Sequence, residues 1–122
     1  IEKPFLGWGS STFPIVYEYF KGENVAQHTH NIFLQLAFDY GLVVLLIISY
    51  IIFNLLFKAI KFVRNKNNQI NLIDSFWIGA SIVSVVFHQF DFPYYDIRIS
   101  MLFWILLSGL SGICETKKLE II

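Results

Sequence analysis

The chain has 122 residues, of which 56% are hydrophobic, 18% aromatic and only 15% charged. Its mean hydropathy is +0.59, and because soluble domains carry about a quarter charged residues, the composition indicates a membrane protein. Nine basic residues balance nine acidic ones, which excludes the general basic field of a nucleic-acid-binding protein. The single cysteine, Cys114, excludes an intramolecular disulfide framework and a cysteine-rich zinc site.

Residues 1–30 are predicted to form an outer loop. The segment Gly7-Trp8-Gly9-Ser10-Ser11 indicates a glycine-rich turn. It is neither a P-loop nor a dinucleotide fingerprint, since no Gly-Lys-Ser/Thr follows and the third glycine is missing. The aromatic stretch that begins with Phe13 and Pro14 predicts a short helix lying at the membrane surface. The chain begins at Ile1 without Met, and three membrane segments could hardly enclose a pocket, so we expect it to be part of a longer protein.

The polar stretch before the first apolar run carries two histidines one residue apart, His28 and His30. Imidazole gains and loses a proton near neutral pH, so this pair is a candidate site; an ordinary interfacial turn is the alternative. A metal site is a third possibility, because His-x-His spacing can place two imidazoles on one side of an extended segment, with His88 or Asp91 as a further ligand. The His-Glu-x-x-His pattern is absent and no third and fourth ligand are evident, so we expect no required metal.

Three membrane helices are predicted, at about 31–62, 72–90 and 98–114. Tyr40 to Phe57 is an uncharged run of eighteen residues, close to the ~20 that cross a bilayer core. The uncharged parts of the other two spans have sixteen residues each. Small residues in both, including Ser81 and Gly109, predict close helix packing. The expected fold is an all-α, polytopic membrane helical bundle.

Basic residues between the first two spans and after the third place those segments in the cytoplasm by the positive-inside rule. These residues are Lys58, Lys61, Arg64, Lys66, Lys117 and Lys118. The opposite, outer face then receives residues 1–30 together with 88–98, which brings Asp91 and Arg98 toward the histidine pair. Ionisable groups at a membrane boundary are commonly functional. Arg98 is expected either to hold an anionic group or to pair with Asp96 as an interfacial anchor.

Several motifs together resemble the C-terminal part of the O-antigen ligase/O-antigen polymerase superfamily, and the resemblance covers most of the chain. They are Gly7-Trp8-Gly9 with Phe13, His28-Thr29-His30-Asn31-Ile32-Phe33-Leu34-Gln35, Asp39-Tyr40-Gly41-Leu42, and Asp91-Phe92-Pro93 ahead of Arg98. The His-x-His-Asn-x-x-Leu-Gln pattern just outside a membrane helix is the most specific of them.

The resemblance implies a multi-pass enzyme of the bacterial inner membrane. Its members transfer a glycan from a polyprenyl-pyrophosphate carrier to the hydroxyl of a lipid or glycan acceptor at the periplasmic face, and no cofactor is expected. His30 matches the family's functional histidine and His28 the position before it. Asn31, Asp91 and Arg98 are the expected substrate-binding residues. The family's other pyrophosphate-holding arginines lie largely upstream of the region matched here, and the motif does not separate ligases from polymerases.

Two other classes of function stay open on the residues alone: a membrane transporter component with polar residues lining a conduction path, and a purely structural membrane subunit. The interior of the first span carries only Ser49, Tyr50 and Asn54 as polar groups, which disfavours a continuous path across it.

Overall fold

The computed structural model describes residues 3–22, 27–65, 70–90 and 96–119. Over these residues the chain forms four α-helices and no strand: α1 (Phe13–Lys21), α2 (Ile32–Arg64), α3 (Leu72–Phe87) and α4 (Ile97–Leu119). The expectation of an all-helical protein is confirmed for this part of the chain. The candidate residue Asp91 and Lys66 of the basic loop lie outside the described residues.

Two of these helices are long and apolar enough to cross a membrane, α2 and the Ile97–Thr116 portion of α4. In their most apolar windows only 11% and 17% of the residues are buried. They therefore differ from the core helices of soluble proteins, whose apolar residues are mostly covered. The third predicted span, α3, is apolar but has only 16 residues. It ends at Phe87, before the predicted end of that span, because residues 88–90 form a turn.

The chain divides into two compact units, Ile1–Tyr50 with His88–Phe92 (unit 1) and Ile51–Phe87 with Pro93–Ile122 (unit 2). In unit 2 the buried side chains of Ala59, Ile78 and Leu110 bring α2, α3 and α4 together. The indole N–H of Trp77 donates to the Leu106 carbonyl at 3.0 Å. This bond gives the indole N–H a partner and joins α3 to α4.

Small residues make that contact possible, as the sequence predicted for Ser81 and Gly109. A Cβ added to Gly109 would overlap the indole ring of Trp77, so the ring lies directly on the glycine backbone. Ser81 is fully buried, and its hydroxyl lies 2.9 Å from the Trp77 carbonyl and 3.2 Å from the Leu106 carbonyl, so it can donate to either acceptor. Gly79 and Gly112, in contrast, face open space, so only some of the small residues serve helix packing.

In unit 1, helix α2 is interrupted at Gly41, whose backbone has φ 83° and ψ 177°. This conformation is essentially restricted to glycine. In an unbroken helix the Leu42 N–H would donate to the Phe38 carbonyl. Here Leu42 donates instead to the carbonyl of Pro4 at 2.7 Å. The break therefore exposes backbone groups that the helix itself no longer satisfies.

The glycine-rich turn before α1 and the residues next to it supply the missing partners. The Trp8 N–H donates to the Phe38 carbonyl at 2.8 Å, and the Gly9 N–H donates to the Asp39 carbonyl at 3.0 Å. Gly7 is buried here, and a Cβ at this position would overlap the backbone of Asp39. Gly7 thus allows the loop backbone to approach a helix backbone closely, while Gly9 supplies the φ of 98° that the turn needs. The spacing of the two glycines alone does not reveal these roles.

Aromatic rings hold the loop and α1 against the same part of α2. Trp8 stacks on Phe38 with ring centroids 6.4 Å apart, and Phe13, the first residue of α1, meets Phe38 edge-on at 5.0 Å.

Pro14 lies in the first turn of α1, where its missing N–H leaves no partner unsatisfied. Gly22 ends the helix in the left-handed conformation, donating to the Glu18 carbonyl at 2.8 Å.

We expect Gly41→Ala to lower the unfolding free energy by at least about 1–3 kcal/mol, because the new Cβ occupies a glycine-only conformation and overlaps the Phe5 carbonyl. Gly79→Ala is the matched control. That glycine lies inside α3 facing open space, so its change is expected to be neutral or to stabilise by up to about 1 kcal/mol. Thermal unfolding in detergent micelles measures both, and equal stability of the two variants would contradict the docked-loop arrangement.

Candidate functional site

Asn31 caps the N-terminus of α2. Its side-chain Oδ1 accepts the N–H groups of Phe33 at 2.9 Å and of Leu34 at 3.1 Å. The N–H of Ile32 donates to the backbone carbonyl of His88 at 2.9 Å. These are backbone donors that a helix start leaves without intrahelical partners. Because all three are already used, this helix end does not offer them to a bound phosphate.

The same asparagine joins two distant parts of the sequence. Its Nδ2 donates to both the backbone carbonyl and the side-chain Oε1 of Gln89, each at 3.2 Å. With the Ile32–His88 bond, this ties the turn after α3 to the start of α2. Within unit 1, the structure thus places His88 and Gln89 at Asn31 and Ile32, directly after the histidine pair.

The two candidate histidines lie directly before this cap. The centroids of their rings are 4.3 Å apart with the planes at 60°, and the His30 N–H points to Nδ1 of His28 at 3.4 Å. His28 is half-buried and His30 is exposed. His30 has φ 54°, a left-handed conformation that costs a non-glycine residue about 1–3 kcal/mol and that recurs at functional sites.

A chain of hydrogen bonds runs beneath the histidine pair. The Thr29 N–H donates to Oε1 of Gln35 at 3.1 Å, and Nε2 of Gln35 donates to Oδ1 of Asp39 at 3.0 Å. Gln35 is 1% exposed and Asp39 4%. The Thr29 hydroxyl donates in addition to the Asn31 carbonyl at 2.9 Å. The residue between the two histidines is thus fastened through both its backbone and its side chain.

His88 differs from the other two histidines because its side chain is 1% exposed. Its backbone carbonyl, rather than its imidazole, makes the contact with α2 given above. Across the described residues, no group of three His, Cys, Asp or Glu side chains lies close enough together to hold a metal ion. The expectation that no metal is required stays a prediction.

Arg98 belongs to unit 2 and pairs with Asp96. The guanidinium donates to both carboxylate oxygens, from Nε to Oδ1 at 3.3 Å and from Nη2 to Oδ2 at 3.2 Å. The Arg98 backbone N–H also donates to Oδ1 at 2.9 Å, so Asp96 caps α4. The side-chain hydrogen bond from Arg98, followed by the backbone one, lowers the pKa of Asp96. The Arg98 side chain is 88% exposed and remains open to solvent beyond this pair.

Of the residues singled out in the sequence, the structure therefore brings His28, His30 and Asn31 together. Gln35 and Gln89 were not assigned a place in the site from the sequence, whereas Asp39 was expected either to cap the helix end or to face the same polar cavity. The four-residue spacing of Gln35 and Asp39 was an available signal, since residues so spaced share one face of a helix. Two polar residues on one face at the start of an apolar helix predict a buried hydrogen bond.

The chain matches no protein-family model, no curated protein sequence and no solved structure.

We expect Asn31→Ala to lower the unfolding free energy by about 1–2 kcal/mol, because the helix start loses its side-chain acceptor. Asn31→Asp keeps that acceptor and places a negative charge where the helix dipole favours it, while it loses the amide donor to Gln89. Its loss of stability should therefore be smaller. Thermal unfolding in micelles separates the two, and an Asp variant as unstable as the Ala variant would argue against the capping role.

Proposed function

We propose that this chain carries part of the active site of a membrane glycosyltransferase of the O-antigen ligase or polymerase type. The reaction is the transfer of a glycan from a polyprenyl-pyrophosphate carrier to an acceptor hydroxyl at the periplasmic face of the bacterial inner membrane. The observation that carries the proposal is the His28–His30 pair at the N-terminal end of α2. One imidazole of that pair is exposed on a strained, firmly held backbone, and the motif resemblance around it agrees.

The chemistry requires one base and a stabilised leaving group. The acceptor oxygen attacks the anomeric carbon of the donor sugar and forms the new glycosidic bond. The bond from that carbon to the pyrophosphate oxygen breaks, and the pyrophosphate leaves with the electron pair. His30 takes the proton of the acceptor hydroxyl, which is the role of a general base. Its exposure allows a water-soluble or membrane-anchored acceptor to reach the ring.

The donor pyrophosphate needs cationic partners. The backbone N–H groups at the start of α2 are already bonded to Asn31 and His88. The anion must therefore be held by side chains instead. Arg98, with its 88% exposed side chain, is the candidate in this chain, and Asp91 is the proposed partner for the sugar. Further arginines would come from other helices of the protein.

Membrane lipids are part of the proposal. Large apolar side chains are exposed along α2, such as Leu46 at 67% and Tyr50 at 71%. On α1, Ile15 is exposed by 70% and Tyr19 by 83%. Such surfaces are stable only when lipid or protein covers them. Helix α1 is proposed to lie at the outer interface, where aromatic residues are favoured.

The transporter alternative draws on the buried Gln35 and Asp39 in the first turns of α2. A conduction path requires polar groups to continue across the membrane. The uncharged run from Tyr40 to Phe57 offers none that ionises as a proton relay near neutral pH, and this favours the enzyme.

The proposed orientation predicts the outcome of cysteine labelling. In a variant that lacks Cys114, a cysteine at position 27 should react with a membrane-impermeant maleimide added to intact spheroplasts. A cysteine at position 67 should react only after the membrane is opened, because the surrounding basic loop favours the cytoplasm. Labelling of position 67 from outside would overturn the arrangement.

Replacing His30 should abolish most glycan transfer without preventing folding. His30→Asn is the cleaner variant, because asparagine tolerates the left-handed backbone but is no base. His30→Ala removes the ring more simply. Loss of a general base typically lowers the rate about 10²–10⁴-fold. We expect transfer in membranes to fall by that order while the polyprenyl-linked donor accumulates, as measured by chromatography of lipid extracts.

His28→Asn is the matched control and should have a milder effect, since one base suffices for this chemistry. Membrane levels of all variants are compared by immunoblot, because His30 lies outside the apolar run and should not affect insertion. A normal transfer rate in His30→Asn would contradict the catalytic role and would leave the histidine pair as an ordinary interfacial turn.

A further inference from the structure

Gln35 links the histidine turn to a buried carboxylate. Its side chain is 1% exposed, it accepts the Thr29 N–H at 3.1 Å, and it donates to Asp39 at 3.0 Å. Burying an amide and a carboxylate in an apolar helix is unfavourable unless hydrogen bonds compensate. The bond between Gln35 and Asp39 offsets this cost. The bond from Thr29 to Gln35 extends the same series of hydrogen bonds to the histidine turn.

The partners of Gln35 determine which end of its side-chain amide accepts a hydrogen bond and which end donates one. The backbone N–H of Thr29 can only donate, and Oδ1 of Asp39 accepts from Gln35, so Gln35 turns its Oε1 toward Thr29 and its Nε2 toward Asp39. The amide of Gln35 is thus held in one of its two orientations, and that orientation is the one that accepts the Thr29 N–H.

Thr29 lies between the two histidines in the sequence, so holding its backbone in place also holds the Cα positions from which both imidazole side chains extend. We propose that Gln35 is a positioning residue for the His28–His30 pair and that Asp39 orients its amide. The effect on glycan transfer rests on the proposed function, whereas the effect on the positions of the two rings does not. A displacement of about 1 Å at reacting groups can lower a rate about 10²-fold.

The first test exchanges donor and acceptor. Gln35→Glu places a second carboxyl against Asp39, and two carboxyls in contact can share one proton. The variant is therefore assayed at the alkaline end of the activity range, where no proton donor remains between them, and glycan transfer should fall on the order of 10²-fold. In the double variant Gln35→Glu/Asp39→Asn, the new asparagine amide donates to the new glutamate, whose other oxygen accepts the Thr29 N–H. This variant should regain most of the lost transfer, and a double variant as inactive as Gln35→Glu would count against the proposal.

The second test requires no glycan donor. Diethyl pyrocarbonate modifies exposed imidazoles, and peptide mass spectrometry gives the ratio of the modification rates of His28 and His30. We expect Gln35→Glu to change this ratio several-fold and the double variant to restore it. Leu34→Ala is the matched control, since Leu34 lies in the same turn, is 60% exposed and should leave the ratio as in the unaltered protein.

If Gln35→Glu does not fold, Gln35→Met/Asp39→Leu serves instead. It replaces both partners by apolar groups, which avoids an unpaired buried carboxylate, and it should change the ratio in the same way. An unchanged ratio in a folded variant would falsify the positioning role. A ratio that responds in a protein without transfer activity would support the positioning role and defeat the proposed function.

Discussion

A break in an apolar helix creates backbone donors and acceptors that must find partners, and much of unit 1 follows from this requirement. At Gly41 the helical bond between Phe38 and Leu42 is lost. Neither lipid nor an apolar side chain can replace it, so irregular backbone at such a position is stable only against other polar backbone. The glycine-rich loop meets the requirement with the N–H groups of Trp8 and Gly9 and the carbonyl of Pro4.

The short helical segment between Ile32 and the break is consequently fastened at both ends. At its start Asn31 and His88 accept the backbone N–H groups of the first turn, and Gln89 accepts the side-chain amide of Asn31, which brings in the turn that follows α3. At its end the glycine-rich loop bonds to the broken backbone. On its buried side, Gln35 adds a third point of attachment by accepting the N–H of Thr29. A segment held at three points is a rigid support for a histidine pair, and rigid support is what a positioned base requires.

In the histidine turn, the side chain of Asn31 is used within the fold, whereas that of His30 is exposed. Asn31, an expected substrate ligand, uses both ends of its amide within the protein, as cap and as donor to Gln89. His30 occupies an unfavourable backbone conformation, and its side chain is exposed. The surrounding hydrogen bonds offset that strain. The amide of Asn31 is thus used within the fold, while the imidazole of His30 is exposed.

The sequence was sufficient for some features because they depend on local composition. Long apolar runs predict helices wherever they occur, since the backbone must bond within the segment, and Pro14 and Gly22 mark the ends of α1 by their own conformational preferences. The position of His30 ahead of an apolar helix was equally a local property. These predictions needed no knowledge of which distant residues meet.

Only the tertiary structure decided what lies between elements. The spacing of Gly7 and Gly9 was consistent with a simple turn, and nothing local indicates that the loop bonds to a helix backbone about thirty residues away. The same holds for the bond between Ile32 and His88 and for the contact of Trp77 with Gly109. Each depends on two segments that meet in space, and whether a buried polar group is satisfied is determined only where its partner arrives.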